Sequence, residues 1–351
     1  MTGGIIAGLT AGVEVRAASA LDWVGKELAV VLDGAPTGDA AFGRMRLEVE
    51  ASRSEFTGTV LKNAATSGFD LRFEVGDAET RVTARWRPGR REQLLSRALP
   101  ARQRLLLAQA LVHYPALWQA GTAGAVPVAG CVLLVRGRGV LVSGPSGVGK
   151  STLVAQELAA GATAISDNLV VVAPRSANAT DPPPTLGDAV EVSAWPSMSA
   201  APALIAHGLV EPLRADFSLL PPGIATPLPR RRTTRGRGEG HLIRRADAVS
   251  VDAVVLLRRT GAAPGLTRLG PDAAARALAV ATYTAGELRR YWPFAAALAA
   301  AAGLGPVHPA VTDSCRALCA AVPCAELELG SAPGPRLSEA LSDLESAPAW
   351  T

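Results

Sequence analysis

The sequence predicts an α/β protein preceded by a smaller α+β domain, on three observations. Residues 1 to about 90 alternate apolar and polar side chains in short runs, the period of half-buried strands. An apolar run ending at Ser143 passes through a glycine-rich stretch into an amphipathic segment, Ser151 to Ala160, which is a strand–loop–helix signature. Beyond Ser250 a buried-strand pattern is followed by long alanine-rich segments of helical character.

In chain order, the first domain, 1–118, carries the alternating runs Arg44–Glu50, Phe69–Val75 and Arg81–Trp86, expected to pair as antiparallel strands. Leu94, Leu95, Leu99, Leu106, Leu107, Leu111 and Trp118 then recur at helical spacing, interrupted at Pro100 and Pro115, and form a hinge into the second domain, 119–351. Val128 to Val142 reads as two strands joined at Arg136-Gly-Arg-Gly139. The helix after the glycine stretch stops at Gly161. Short runs at Ala162–Ser166 and Leu169–Val172 flank Asp167-Asn168, and Pro174 to Asp188 has a loop composition. Ser250 to Leu257 is a buried strand, and helices fill Pro271–Leu304 and Ala310–Ala321.

With 351 residues and 48% hydrophobic content the chain can fill two cores. Its net charge of +4 comes from arginines that are scattered and lack interleaved aromatics, so nucleic acid is not an expected partner. Cys131, Cys315, Cys319 and Cys324 lack a second metal-type pair and read as buried small hydrophobes. The N-terminus has no basic stretch of a secretory signal, and the longest apolar run, Trp292 to Leu304, is too short to span a bilayer. A cytoplasmic protein without a membrane partner is expected. A homo-oligomer is left open.

Chemistry concentrates in Leu141-Val-Ser-Gly-Pro-Ser-Gly-Val-Gly-Lys-Ser-Thr152. Gly144, Gly149, Lys150 and Ser151 satisfy G-x-x-x-x-G-K-[ST], with a strand before and a helix after. Glycines let successive backbone N–H groups curl around a phosphate, and the helix N-terminus adds a favourable dipole. The residues expected to cradle ATP are Gly144, Ser146, Gly147, Val148, Gly149, Lys150, Ser151 and Thr152. Only three lysines occur among 35 basic residues. Lys150 supplies a compact mobile charge for the β- and γ-phosphates, which the rigid fork of arginine does not replace. The Ser151 hydroxyl is a candidate Mg²⁺ ligand.

The loop alone does not separate kinases from ATPases and GTPases. No guanine-reading Asn-Lys-x-Asp occurs, and the strand ending at Leu257 runs into Arg258-Arg259, not into a metal-binding acid pair. Asp167 follows the short strand after the first helix, where it could bind Mg²⁺ or accept a proton from an attacking hydroxyl. By pattern alone, an Asp-Asn hairpin turn with no chemistry fits the same residues equally well.

Residues Val128 to Val172 resemble, without a gap, the catalytic core of the HPr kinase/phosphorylase family. The matching features are the hairpin, the loop Val140-Leu-Val-Ser-Gly-Pro-Ser-Gly-Val-Gly-Lys-Ser151, the helix end at Gly161 and Ser166-Asp-Asn168. The resemblance implies a P-loop kinase fold with a mixed sheet, related to phosphoenolpyruvate carboxykinase, that phosphorylates a serine hydroxyl with ATP and Mg²⁺. It implies that Lys150 and the loop amides hold the phosphates, that Ser151 and Asp167 lie by Mg²⁺, and that Asp167 is the general base. Asn168 replaces the family's second aspartate and Ala129 its histidine. The segment that engages the protein substrate is not recognisable in Asp188 to Leu213, so HPr is not the expected partner. Kinase-like relatives encoded with ribosomally made peptide natural products are similar in layout, which implies a peptide or small-molecule alcohol as acceptor. A nucleotide-binding regulatory or scaffold protein that has lost catalysis is the alternative that Asn168 and Ala129 permit.

Outside this core, residues 230–245 hold seven arginines. They read either as a solvated loop or as a clamp for a substrate anion, with Arg244 and Arg245, beside the following strand, as the substrate contacts together with Asn168. No histidine sits at a spacing that would support a hydrolytic triad.

Overall fold

A computed structural model describes residues 2–5, 12–17, 21, 23–24, 44–52, 54–58, 60–76, 79–98, 103, 106–107, 109–122, 124–166, 169–174, 190–194, 249–260, 265–286, 288–330, 337–339 and 341. Asp167, Asn168, Arg244, Arg245 and the whole arginine-rich stretch 230–245 lie outside the described residues. The described residues fall into two compact units, one within 1–124 and 289–308, the other within 125–288 and 309–351.

The first unit holds strands β1 (Thr2–Ile5), β2 (Gly12–Ala17), β3 (Arg44–Glu50), β4 (Val60–Leu61), β5 (Phe69–Val75) and β6 (Glu79–Trp86) in one sheet of order β1-β2-β3-β6-β5-β4. The alternating runs are strands, but they are not all antiparallel. β5 and β6 form an antiparallel pair, whereas β3 runs parallel to both β2 and β6. Period-two alternation fixes which face is buried and says nothing about the direction of the neighbour. Parallel pairing needs a crossover, and residues 51–78 supply one that contains β4 and β5.

Helix α1 (Arg90–Ala98) buries no residue and leaves Leu94 69% exposed, so the leucine spacing there does not mark a core face. Burial resumes at Gln103, whose amide donates to the Ser67 carbonyl, and continues through Leu106, Leu107 and Leu111. A wide π-turn at Gln109–His113 leads into α2 (Tyr114–Thr122), with Pro115 in the first turn, where proline is tolerated. Within the same unit Phe294 meets Phe73 and Tyr114 edge to face, so this aromatic is core packing.

In the second unit β7 (Val126–Ala129), β8 (Cys131–Val135) and β9 (Arg138–Ser143) replace the two strands expected over Val128–Val142. Arg136 and Gly137, both at positive φ, make the tight β8–β9 turn. Gly130 separates β7 from β8, because a Cβ there would stand 2.8 Å from Leu141 Cδ1 and 3.0 Å from the Val142 carbonyl oxygen. The chain changes sheet at this glycine.

After α3 (Lys150–Ala159) come β10 (Thr163–Ser166), β11 (Leu169–Pro174), β12 (Val190–Ala194), β13 (Val249–Ser250), β14 (Ala253–Arg259), β15 (Gly265–Leu269) and α4 (Pro271–Thr284); α5 (Leu288–Ala301) belongs to the first unit from Arg289 on, and α6 (Val311–Ala321) and β16 (Cys324–Leu329) return to the second. One mixed sheet has the order β10-β8-β9-β14-β16-β15, and a second, antiparallel sheet has the order β13-β12-β11-β7. In the first, β14 lies parallel between β9 and β16, while β8 is antiparallel to β9 and to β10. The C-terminal ends of β9, β10, β14 and β16 therefore share one end of the sheet. Cys131, Val140, Val142, Val148, Leu153, Val154, Val255, Leu257 and Leu327 are among the buried residues that pack α3 onto this sheet.

Two polar groups tie the layers together. The fully buried Thr282 hydroxyl donates to the Leu278 carbonyl at 2.8 Å and accepts the Ala129 N–H at 3.1 Å. The buried Glu157 carboxylate of α3 accepts the Leu337 N–H at 2.8 Å. Cys315, Cys319 and Cys324 are buried free thiols, and burial pushes Cys315 up to about 12.

Replacing Thr282 by valine keeps the volume but strands the Ala129 N–H. We expect a loss of about 1–3 kcal/mol in urea unfolding, with Thr282→Ser retaining most of the stability.

Candidate functional site

Between β9 and α3 the chain reverses through Gly144, Gly147 and Gly149 at φ of 144°, 78° and 120°. These values favour glycine over any residue with a Cβ. At Gly144 the exclusion is also steric, since a Cβ would stand 2.6 Å from the Leu257 carbonyl oxygen of β14. At Gly147, by contrast, nothing lies within 4 Å of that point, and Pro145, Ser146 and Gly147 are exposed. One glycine presses the loop onto the neighbouring strand, and another leaves its outer side open.

Val148, 6% exposed, drops its side chain into the core under the loop. Its N–H donates to the Pro145 carbonyl at 3.3 Å, and Leu153 N–H donates to Gly149 at 3.0 Å to start the helix. Among the described residues the N–H groups of Gly147, Gly149 and Lys150 donate to no backbone carbonyl. An open loop with unpaired amides at the start of a ten-residue helix fits a phosphate group. Thr152 is exposed on the first turn, whereas the Ser151 side chain lies outside the description.

Lys150 folds back over the loop, donating from Nζ to the Gly144 carbonyl at 2.7 Å and the Pro145 carbonyl at 3.0 Å. Burial holds its ammonium below the ordinary lysine value of 10.5, and the Cys131 thiol, once ionised, opposes this to a smaller degree.

Sequence reasoning missed Ser143, the fully buried last residue of β9, whose hydroxyl donates in a short bond to the Ala129 carbonyl. Ala129 pairs with Leu169 across β7 and β11, and Val132 of β8 pairs with Ser166 of β10. Among the described residues β10 and β11 therefore lie in different sheets and do not pair with each other. Ser166 ends β10 at the same end of the sheet as the loop, two strand spacings from β9, or about 10 Å.

On the opposite side of the loop strand, β14 ends in Arg258 and Arg259. Arg258 pairs with Glu326 at 3.3 Å. Arg259 follows Val255 and Leu257 on the face that carries α3, and its Nη2 lies 4.0 Å from where a Cβ on Gly149 would be.

No family model matches the chain, and no curated protein does. Among solved structures it is similar to the Hpr(Ser) kinase/phosphatase from Coxiella burnetii, at 9% identity over 63% of this chain and 88% of that one, with a TM-score of 0.23. At that score the likeness carries no argument about activity. Among the described residues no helix is long and apolar enough to cross a membrane.

Gly144→Ala combines a disfavoured φ with a clash against backbone, so a loss of about 3 kcal/mol or more in unfolding free energy is expected. The lowered Lys150 value gives a second test. Between that value and 10.5 the native state binds fewer protons than the unfolded chain, so stability rises with pH through this window. Affinity for a phosphate ligand falls over the same window as the ammonium is lost. Calorimetric titration of ATP across this range is expected to show the decline in the wild type and a flat profile in Lys150→Arg.

Proposed function

We propose that the protein is an ATP-dependent phosphotransferase that moves the γ-phosphoryl group onto the hydroxyl of a peptide or small-molecule alcohol. The observation that carries the reading is the open glycine loop with unpaired amides, packed at Gly144 onto the end of β14 and ending in Lys150 on α3. Three glycines at positive φ, a lysine within reach of the loop interior and a helix N-terminus together bind a polyphosphate. The catalytic domain in this reading is 119–351, behind an N-terminal domain of 1–118.

Lys150 would exchange its two carbonyl partners for phosphate oxygens, and the amides of Gly147, Gly149 and Lys150 would donate to the same group. The Ser151 hydroxyl and the Asp167 carboxylate would hold Mg²⁺, which neutralises charge on the phosphates when bound. Asp167 would also take the acceptor's hydroxyl proton as the oxygen attacks phosphorus and the bond to the ADP leaving oxygen breaks. Asn168, Arg244 and Arg245 would face the acceptor. Support for Asp167 comes from the strand order that ends β10 at the loop end of the sheet. A peptide natural-product pathway is the proposed setting.

A regulatory nucleotide-binding protein is the second reading. It is favoured by Ala129, a buried residue whose N–H and carbonyl are both committed within the fold, with no side chain able to take a proton.

Labelled ATP incubated with candidate peptides and alcohols separates the two. Transfer is expected in the wild type, falling about 10²- to 10⁴-fold in Asp167→Ala with ATP still bound. ATP binding with no transfer to any acceptor, in wild type and variant alike, would leave the regulatory reading standing.

A further inference from the structure

The loop strand β9 has a neighbour on each side, and the two sides carry different chemistry. On the β8/β10 side the chain leads to Asp167. On the β14 side it leads to two consecutive arginines. Alternation sends them to opposite faces of the sheet. Arg258 shares a face with Glu326 and is neutralised by it at 3.3 Å. Arg259 continues the row Ala253, Val255, Leu257 on the α3 face, beside Leu329, which packs against the same core.

The consequence is a guanidinium at the foot of the loop, 4.0 Å from the point that a Cβ on Gly149 would occupy. It is exposed, and among the described residues it makes no hydrogen bond or ion pair. Arg258 shows that an acid partner is available on this strand pair, yet among the described residues none is paired with Arg259 on the loop face. The loop's own cation, Lys150, is occupied by the Gly144 and Pro145 carbonyls. A nucleotide polyphosphate carries more negative charge than one ammonium offsets, and a planar five-donor fork suits phosphate oxygens.

We propose that Arg259 is a second phosphate-binding cation of this site, reaching bound nucleotide from the β14 side. The proposal rests on the nucleotide reading above and adds a residue to it. A carboxylate or a neutral side chain at position 259 would weaken nucleotide binding without disturbing the fold, because the guanidinium holds no partner among the described residues. Charge alone is not the whole requirement. Lysine at 259 would keep the charge and lose the fork, and would recover only part of the affinity.

The test is calorimetric titration of Mg·ATP into the full-length wild type and into Arg259→Ala, Arg259→Lys, Arg258→Ala and Lys150→Ala, each checked for an unchanged melting temperature. Arg259→Ala is expected to bind about tenfold or more weakly, Arg259→Lys to fall between it and wild type, and Arg258→Ala to bind as wild type. Wild-type affinity in Arg259→Ala, or an equal loss in Arg258→Ala, would overturn the role of Arg259 while leaving the nucleotide site intact. If the wild type binds no Mg·ATP, the nucleotide reading falls and this proposal falls with it. In that case Lys150→Ala matches the wild type, whereas in the former it does not.

Discussion

The structure of the site turns on one contact, the backbone of Gly144 against the carbonyl oxygen of Leu257, where no Cβ can fit. Everything else about the loop follows from that approach. β9 and β14 are parallel neighbours, so a loop leaving β9 must climb over the end of β14 or turn back across its own strand. Close packing at Gly144 directs it to the first course. The chain then passes through positive φ at Gly147 and Gly149 as it enters α3, and their amides take no backbone acceptor among the described residues. Val148 pins the curl from beneath, so the open face is held by core packing on one side and backbone sterics on the other. A loop fixed in this way has lost its entropy at folding and does not lose it again when an anion arrives.

The second organising feature is the pair of crossings between the two sheets of the second unit. β7 leaves the small sheet at Gly130 to become β8 of the large one, and β10 leaves the large sheet to become β11 of the small one. Pairing of Ala129 with Leu169 and of Val132 with Ser166 brackets both crossings at the same place. Ser143 fastens the end of β9 to this junction through the Ala129 carbonyl, and Thr282 fastens it from α4. The seam where the sheets part is thus tied by hydrogen bonds to the strand that carries the loop. Ser166, the last residue of β10, reaches this seam at the loop end of the large sheet by strand order alone.

How much of this was legible in the sequence depended on whether the constraint was local. The strand–turn–helix order was legible, since glycines at fixed offsets between an apolar run and a helical segment answer to the backbone itself. The tight turn at Arg136-Gly137 was legible for the same reason. Strand direction in the first unit was not, because alternation along Arg44–Glu50 is identical whether its neighbours run up or down. The break at Gly130 left a signal, a glycine inside an apolar run, which marks a close backbone approach, but merging Val128–Val142 into one hairpin passed over it. Leu94 shows the limit of spacing. The helix it indicated is present, but whether its leucines are buried is decided by neighbours, and Arg90, Arg91, Glu92 and Arg97 keep that helix in water.

Arg258 and Arg259 show why a site cannot be completed from a motif. In sequence they are two like charges at the end of a strand, and their evident meaning was the exclusion of Mg²⁺. The pleat separates them: one side chain finds Glu326 across β16, and the other is carried by the same alternation that buries Val255 and Leu257 onto the face of α3. Which of the two reaches the loop depends on the parity of the strand relative to its buried residues, so counting back from Leu257 would have identified Arg259. An acid on the β10 side would hold a metal away from this guanidinium, and the loop amides between them would take the phosphates. Opposite charges on opposite flanks of β9 would then give a bound triphosphate a defined direction along the sheet end, with the reacting phosphoryl group on the acid side and the remaining charge toward Arg259.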